Sequence, residues 1–234
     1  SEMCIRDSII TKETDYHIII NIMKNYLDSQ KWRYAVKKYD ATKKVSAEDL
    51  ALLKEAVQLS VSSVGLQPYK VIIAETQEAK EKLAEGASGN NANLFRDASH
   101  IFIFANEINA GNEQVDKYIA NASTLRGVPV EALAGFSDYI KGFLGTLSDE
   151  QKNIWTAKQT YIALANLIHT APLLNIDATP MEGFDAAKVN EILGLTEKGL
   201  NASLVATIGY RHEEDANQHL SLIHISEPTR RTPI

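Results

Sequence analysis

The segment that most restricts how this chain can fold is a long helix with almost no polar side. Ser148 and Gln151 form a capping box, in which each side chain satisfies the backbone N–H of the other. A helix is therefore predicted from Asp149 to about Ala171, where Pro172 cannot continue it. Its middle, Tyr161-Ile162-Ala163-Leu164-Ala165-Asn166-Leu167-Ile168, is apolar nearly all round. A surface helix keeps a polar face, so one this apolar is buried, either in a core or in a subunit interface.

The other elements are punctuated in the same local way. Ser46 caps a helix running to about Ser60, with Asp49 three residues on and Leu50, Leu53 and Val57 at helical spacing. The stretch VSSVGLQP reads as loop. Tyr69–Ala74 is a β-branched strand, Gln77–Glu85 a polar helix, and GASGNNAN a loop. His100–Ala105 is a near-continuous apolar run and reads as a buried central strand. Glu113–Leu125 and Val130–Phe143 are candidate helices, Asp185 caps a short helix ending at Gly194, and Ala202–Tyr210 is a final strand. Few strands among many helices predict an α+β fold, a small mixed sheet flanked by helices. No internal repeat is visible.

Composition removes several function classes. The net charge is -6, which does not suit a general nucleic-acid binder. No apolar run approaches the roughly 18 residues a membrane helix needs. The one cysteine, Cys4, cannot form an intrachain disulfide and fits a reducing, cytoplasmic setting. No G-x-G-x-x-G, P-loop or G-x-S-x-G pattern occurs. His100, His169, His212 and His219 show no metal-ligand spacing, so no metal is expected.

The two ends differ from the middle. Residues 1–8 (SEMCIRDS) and 221–234 (SLIHISEPTRRTPI) resemble translated sequencing-adapter read-through. The expectation is a doubtful extension over 1–22, a domain over 23–220 opening at Met23, and a doubtful tail over 221–234. Residues 23–220 hold 20 basic and 25 acidic residues, so the ends barely alter the charge. Cys4 falls in the doubtful extension, which leaves no cysteine for catalysis.

Three segments carry the chemistry. In Trp32-Arg33-Tyr34-Ala35-Val36-Lys37-Lys38-Tyr39-Asp40, Arg33 and Lys37 share a side in either extended or helical chain, as a phosphate requires. In Ser62-Ser63-Val64-Gly65-Leu66-Gln67-Pro68, hydroxyls, loop amides and an amide side chain can meet a phosphate or the polar edge of a ring. In Thr179-Pro180-Met181-Glu182-Gly183-Phe184-Asp185, a proline and a glycine flank an acid just before a helix cap. The plain alternatives are a solvated basic stretch, a helix-to-strand loop and a capped turn.

Together these segments resemble the FMN-dependent nitroreductase family, in its branch of oxygen-insensitive NAD(P)H nitroreductases and dihydropteridine reductases. The matching stretches are RYAVKKYD, SVSSVGLQPYK, DASHIFIF, AKQTYIALANLI and ATPMEGFDAAKVNEILGL, covering about residues 30–215. The resemblance implies a nitroreductase-like fold built as an intertwined homodimer, with FMN at the interface touched by both chains. It would also account for the apolar helix. It implies that Arg33, Tyr34 and Lys37 belong to the segment that holds the phosphate and ribityl chain and reaches the polar edge of the ring, and that Ser62 and Ser63 contact the flavin from the other subunit, in a loop shaped by Gln67 and Pro68. Asn91 matches the family's flavin-contacting asparagine, with Asn93 as alternative. Pro180, Met181, Glu182 and Gly183 match the block beside the ring, with Glu182 alternatively a helix-start charge. Phe143 covers the substrate pocket or simply packs in the core.

Ala35 stands where the family often has serine, and Leu94 where it has lysine. The family's closing Lys-x-Arg pair has no match, because the chain switches at Ser221. Two charge-assisted phosphate contacts, worth about 1.5–3 kcal/mol each, are then missing. The implied activity passes electrons from NADH or NADPH to a small-molecule oxidant such as a nitroaromatic, quinone or pteridine. A flavin-binding redox protein without turnover and a flavin-dependent dehalogenase on the same fold stay open as alternatives. No residue stands out as a general acid or base.

Overall fold

A computed structural model describes residues 20–218. The terminal segments, with Cys4, His17, His219, His224 and the region expected to lack a Lys-x-Arg pair, lie outside the described residues. Helix α1 covers residues 20–32 and already includes the three residues before Met23, so the expected domain boundary falls inside an element.

Six further helices and three strands follow the predicted order, and two elements appear that the sequence did not suggest. Helix α2 is Ala47–Gln58, with Ser46 Oγ accepting from Asp49 N (3.0 Å). Strand β1 is Tyr69–Ala74 and α3 is Gln77–Ala84. Helix α4, Asn91–Asp97, begins inside the expected GASGNNAN loop. Then come β2 (His100–Glu107), α5 (Asn112–Arg126), α6 (Ala134–Gly145) and α7 (Asp149–Thr170). Strand β3, Asp177–Met181, was read as part of a turn. Helix α8 (Ala186–Leu193), capped by Asp185, and β4 (Leu200–Gly209) complete the order.

The sheet order is β1-β2-β4-β3, and every neighbouring pair is antiparallel. This corrects the expected mixed sheet. A parallel pair needs a crossover back to the strand's starting end. Here α3 and α4 leave the chain where β1 stops, so Ala74 pairs with Ile101 at the start of β2. The last strand, β4, inserts between β2 and β3. That leaves β3 on an edge, where the missing N–H of Pro180 is tolerated.

The two central strands are covered on both faces, which explains their continuous apolar sequence. Ile101, Ile103, Ala105 and Val205 pack against α3, α4 and α8 through Leu83, Phe95 and Val189. Phe102, Phe104, Leu204 and Ile208 face the other way, against Leu53 of α2 and Ala163 and Leu167 of α7. Helices α5 and α6 form a satellite cluster with Val115, Ile119, Ile140 and Leu144. Within α7 one stripe enters the core, but Ile154 and Tyr161 stay 48% and 43% exposed. The apolar helix is thus only partly covered by its own chain.

Candidate functional site

The basic stretch is extended rather than helical. Beyond α1, the buried Tyr34 and Val36 alternate with the exposed Ala35 and Lys37, Arg33 is half-buried, and Tyr39 turns inward past the bend at Lys37. The inward side is tied to edge strand β3. Thr179 Oγ1 donates to the Val36 carbonyl (3.2 Å), and the buried Tyr39 hydroxyl donates to the Thr207 carbonyl (2.9 Å). Arg33 and Lys37 therefore share an open face beside β3, and neither pairs with a carboxylate among the described residues. Tyr34, grouped with them in sequence, lies on the opposite side. It is buried against the Arg211 guanidinium, 4.4 Å from its ring. Burial first, then the carboxylates of Asp215 and Asp177 against the opposing Arg211, push its phenol up to about 12.

At the end of β3 the chain bends through Glu182 and Gly183. Asn91 at the start of α4 donates through Nδ2 to the Gly183 carbonyl (2.9 Å), which also accepts from Ser88 N (3.0 Å). The approach is close: a Cβ on Gly183 would lie 2.7 Å from Asn91 Nδ2. Asn93 instead faces Arg96, its Oδ1 3.4 Å from Nη1. Gly183 is exposed, and its N–H finds no acceptor among the described residues. Glu182 accepts a hydrogen bond from the Tyr161 hydroxyl of α7. That bond, with some burial, pushes the Tyr161 phenol up to about 12. A small hollow of about 370 Å³ opens here, lined by Tyr161, Leu164, Pro180, Met181, Glu182 and Leu204. Tyr161 carried no sequence signal, because only the tertiary fold brings α7 over β3.

Helix α4 is itself anchored by a lysine. Lys80 is fully buried and donates through Nζ to the carbonyls of Ala98 (2.7 Å) and Arg96 (3.1 Å), satisfying the open end of the helix. Burial, with the neighbouring Lys44, pulls its pKa down to about 8. Leu94 is buried in the same region and offers no side chain to the face.

The serine pair lies elsewhere. The loop between α2 and β1 holds Val64, Gly65 and Gln67 at φ of 53°, 74° and 45°. A β-branched residue there is costly and persists only where surrounding bonds impose it. Those bonds are present. Gln67 Nε2 donates to the carbonyls of Ser60 (2.8 Å) and Gln58 (3.0 Å), its N–H to Ser62 Oγ (2.8 Å), and Ser63 N to Gln159 Oε1 of α7 (2.8 Å). Ser62 and Ser63 are thereby presented at the entry to β1.

The register fixes the distance between the two sets. Met181 pairs with Val205, Val205 with Ile103, and Ile103 with Ile72. Gly183 and the start of β1 are thus at the same end of the sheet but on opposite edges. Three strand spacings separate them, about 14 Å. One chain therefore brings Asn91, Glu182 and Gly183 together past the end of β3, carries Arg33 and Lys37 on the segment joined to that strand at Thr179, and places the loop of Ser62, Ser63 and Gln67 at the opposite edge of the sheet. Phe143 joins neither set: it packs against Trp155, with ring centroids 5.6 Å apart, in the α5–α6 cluster.

The described histidines have protein partners. His100 meets Ser99 Oγ (2.9 Å), His169 meets the Tyr26 hydroxyl (2.5 Å), and His212 accepts from Glu214 N (3.1 Å). Among the described residues no cluster of three or more His, Cys, Asp or Glu could hold a metal, and no helix is long and apolar enough to cross a membrane.

Known proteins resemble this chain in sequence and fold. The chain is 35% identical over 209 residues to the major NAD(P)H-flavin oxidoreductase of Aliivibrio fischeri, covering 87% of this chain and 93% of the relative. It is 31% identical over 199 residues to the oxygen-insensitive NAD(P)H nitroreductase of Enterobacter cloacae, covering 80% and 89%. A nitroreductase family protein of Streptococcus pneumoniae superposes with a TM-score of 0.71 at 24% identity, over 89% of this chain and 96% of the other. A nitroreductase-type protein of Exiguobacterium sibiricum, solved in complex with FMN, superposes with a TM-score of 0.70 at 18% identity, over 89% and 93%. The family model described as "Nitroreductase family" matches residues 31–210, the span from the cation strip to the end of the sheet. With that span and the relatives' coverage in agreement, the chain belongs to the nitroreductase family.

Proposed function

We propose that this chain is an FMN-dependent oxidoreductase that draws on NADH or NADPH, acts as a homodimer, and reduces small oxidants such as nitroaromatics, quinones or pteridines. The observation that carries the reading is the open face beside β3. There Arg33 and Lys37, without carboxylate partners among the described residues, lie on the segment that Val36 and Thr179 join to β3, and Gly183 is exposed past the end of that strand. Membership of the family supports it, as do relatives named for NAD(P)H oxidoreduction and a structural neighbour bound to FMN.

The residues present fit the flavin. Arg33 and Lys37 suit a dianionic phosphate, which favours paired cations on a preorganised strip. Asn91 fixes the Gly183 carbonyl and so steadies the exposed corner where the Gly183 N–H would donate to a ring nitrogen. Gly183 lacks the Cβ that would collide with Asn91. Tyr161 holds the Glu182 carboxylate to one side, so that charge is kept off the open face. Bound FMN would supply the redox chemistry, accepting a hydride from the nicotinamide and handing two electrons to the oxidant. The protein's part is to bind, orient and exclude water.

The separation of the sets supports the dimer. The loop carrying Ser62 and Ser63 leads into β1, on the sheet edge opposite β3, so a second copy would bring the pair to a flavin held beside Gly183. The exposed Ile154 and Tyr161 of α7 supply apolar surface for that contact. Residues 23–220 are taken as the functional domain and the compartment as cytoplasmic.

The test is direct. Purified full chain mixed with FMN should show a shifted flavin spectrum that bleaches anaerobically with NADH or NADPH and returns on adding a quinone. Unperturbed free-flavin absorbance at saturating protein would overturn the reading.

A further inference from the structure

We infer that Asp215 is the positioning residue of the cation strip: without touching a ligand, its buried carboxylate sets the bend that presents Lys37 and Arg33 to a phosphate. The inference rests on the flavin reading above and names a residue that reading does not use.

Asp215 is 1% exposed. Its Oδ2 accepts two consecutive backbone amides, Lys37 N and Lys38 N, each at 2.6 Å. Its Oδ1 accepts Asn217 N at 2.7 Å. Successive amides converging on one oxygen form an anion-binding concavity, and here the anion is the protein's own side chain. The chain bends at Lys37, immediately after the extended stretch that alternates inward and outward residues. Two amides at that bend would otherwise lie against the interior without acceptors, which a folded chain avoids by changing conformation.

The segment carrying Asp215 is itself fixed. Arg211 meets Asp177 of β3 through Nη2 (2.6 Å) and Nε (3.0 Å), and stacks 3.8 Å from the Trp32 ring. His212 N donates to the Lys38 carbonyl (3.0 Å), and Asp40 N to the Tyr210 carbonyl (2.8 Å). The strip is thus clamped along residues 32–40 by residues 210–215, and the carboxylate is the member that acts at the bend. Its charge faces the buried Tyr34 phenol and the Arg211–Asp177 pair on the inner side. Lys37 leaves on the outer side. The carboxylate therefore orders the backbone beneath the cations.

The consequence is selective. Phosphate recognition depends on where Arg33 and Lys37 point, whereas contacts to the ring come from the Asn91–Gly183 corner. Loss of the carboxylate should weaken FMN far more than riboflavin, which has the ring and ribityl chain but no phosphate. The experiment titrates both flavins by fluorescence quenching against full-length wild type, Asp215→Ala and Asp215→Asn, with amide hydrogen exchange at residues 36–39 followed in parallel. Removing one charge-assisted bond to the phosphate corresponds to about a 10- to 100-fold weaker FMN affinity, so that is the expected change in Asp215→Ala, with riboflavin altered less than about threefold. Asp215→Asn retains one acceptor oxygen and should recover part of the preference for FMN. If Asp215→Ala does not fold, Asp215→Asn decides alone, by a lowered FMN-to-riboflavin preference. Faster exchange at residues 36–39 with that preference unchanged would overturn the inference while leaving the flavin reading intact. Wild type that binds neither flavin would overturn both.

Discussion

The two halves of the candidate site are built by opposite means. The β3 side is assembled from distant parts of the chain. Its backbone is held by Thr179, Tyr39, Asp215 and Asn91, each bonded to a residue far away in sequence. The β1 side is a short loop closed mostly on itself, with Gln67 tied back to Gln58, Ser60 and Ser62 and its strain carried by Val64. The first is a rigid bed that one chain completes. The second is a preformed tip that one chain can only offer outward. The contrast teaches that a site split across a sheet can be finished by symmetry: in the proposed dimer, each copy would lend its tip to the other's bed.

The largest effect should come from what both halves share. Phe102 is fully buried in β2, between the two edges. Phe102→Ala should cost about 3–5 kcal/mol of stability, read by denaturant unfolding, and weaken both halves together. Loss of one half alone would break the picture of a common scaffold. Next, Arg33→Gln with Lys37→Gln strikes only the bed. FMN affinity should fall by about 10- to 100-fold for each charge-assisted phosphate bond removed, while the riboflavin affinity and the thermal midpoint hold nearly steady. Equal weakening of both flavins would assign these cations some other role.

Smaller effects sharpen the comparison. Gln67→Ala removes two loop-closing side-chain bonds worth about 0.5–1.5 kcal/mol each. Hydrogen exchange over residues 58–68 should quicken, with no change at residues 88–91. The last is a pH effect at the bed. Lys80 is held below its ordinary pKa, at about 8, by burial. The folded protein therefore sheds this proton before the unfolded chain does. The group's contribution is fully present above the unfolded value of about 10.4 and is lost as pH falls through about 8. Relative to Lys80→Met, wild type should gain stability between pH 8 and about 10.4, measured by urea unfolding. A parallel pair of stability curves would sink that assignment.

The sequence showed most of what is local. Ser46, Ser148 and Asp185 announced three helices because a cap is a contact within four residues. The run His100–Ala105 announced a central strand because both of its faces are covered. Strand β3 stayed hidden because Pro180 argues against a strand until one knows that it lies on an edge. Helix α4 hid within Asn- and Gly-rich sequence, its end secured by Lys80, which approaches from another helix. In the site, the shared side of Arg33 and Lys37 was legible, whereas the inward turn of Tyr34 against Arg211 depends on a contact distant in sequence. Tyr161 and Asp215 were invisible. The first depends on α7 crossing β3, and the second on a bond spanning 178 residues.

The measurement that tests the central claim is complementation between broken halves. One variant carries Arg33→Gln and Lys37→Gln, the other Ser62→Ala and Ser63→Ala. The two are mixed and allowed to exchange subunits, and bound FMN per chain is measured at limiting flavin. In a twofold dimer whose sites each draw on both chains, random exchange restores about a quarter of the sites to wild-type composition. Flavin occupancy should rise accordingly above that of either variant. Occupancy no higher than the mean of the two separate variants would contradict the account, because each chain would then hold its flavin alone.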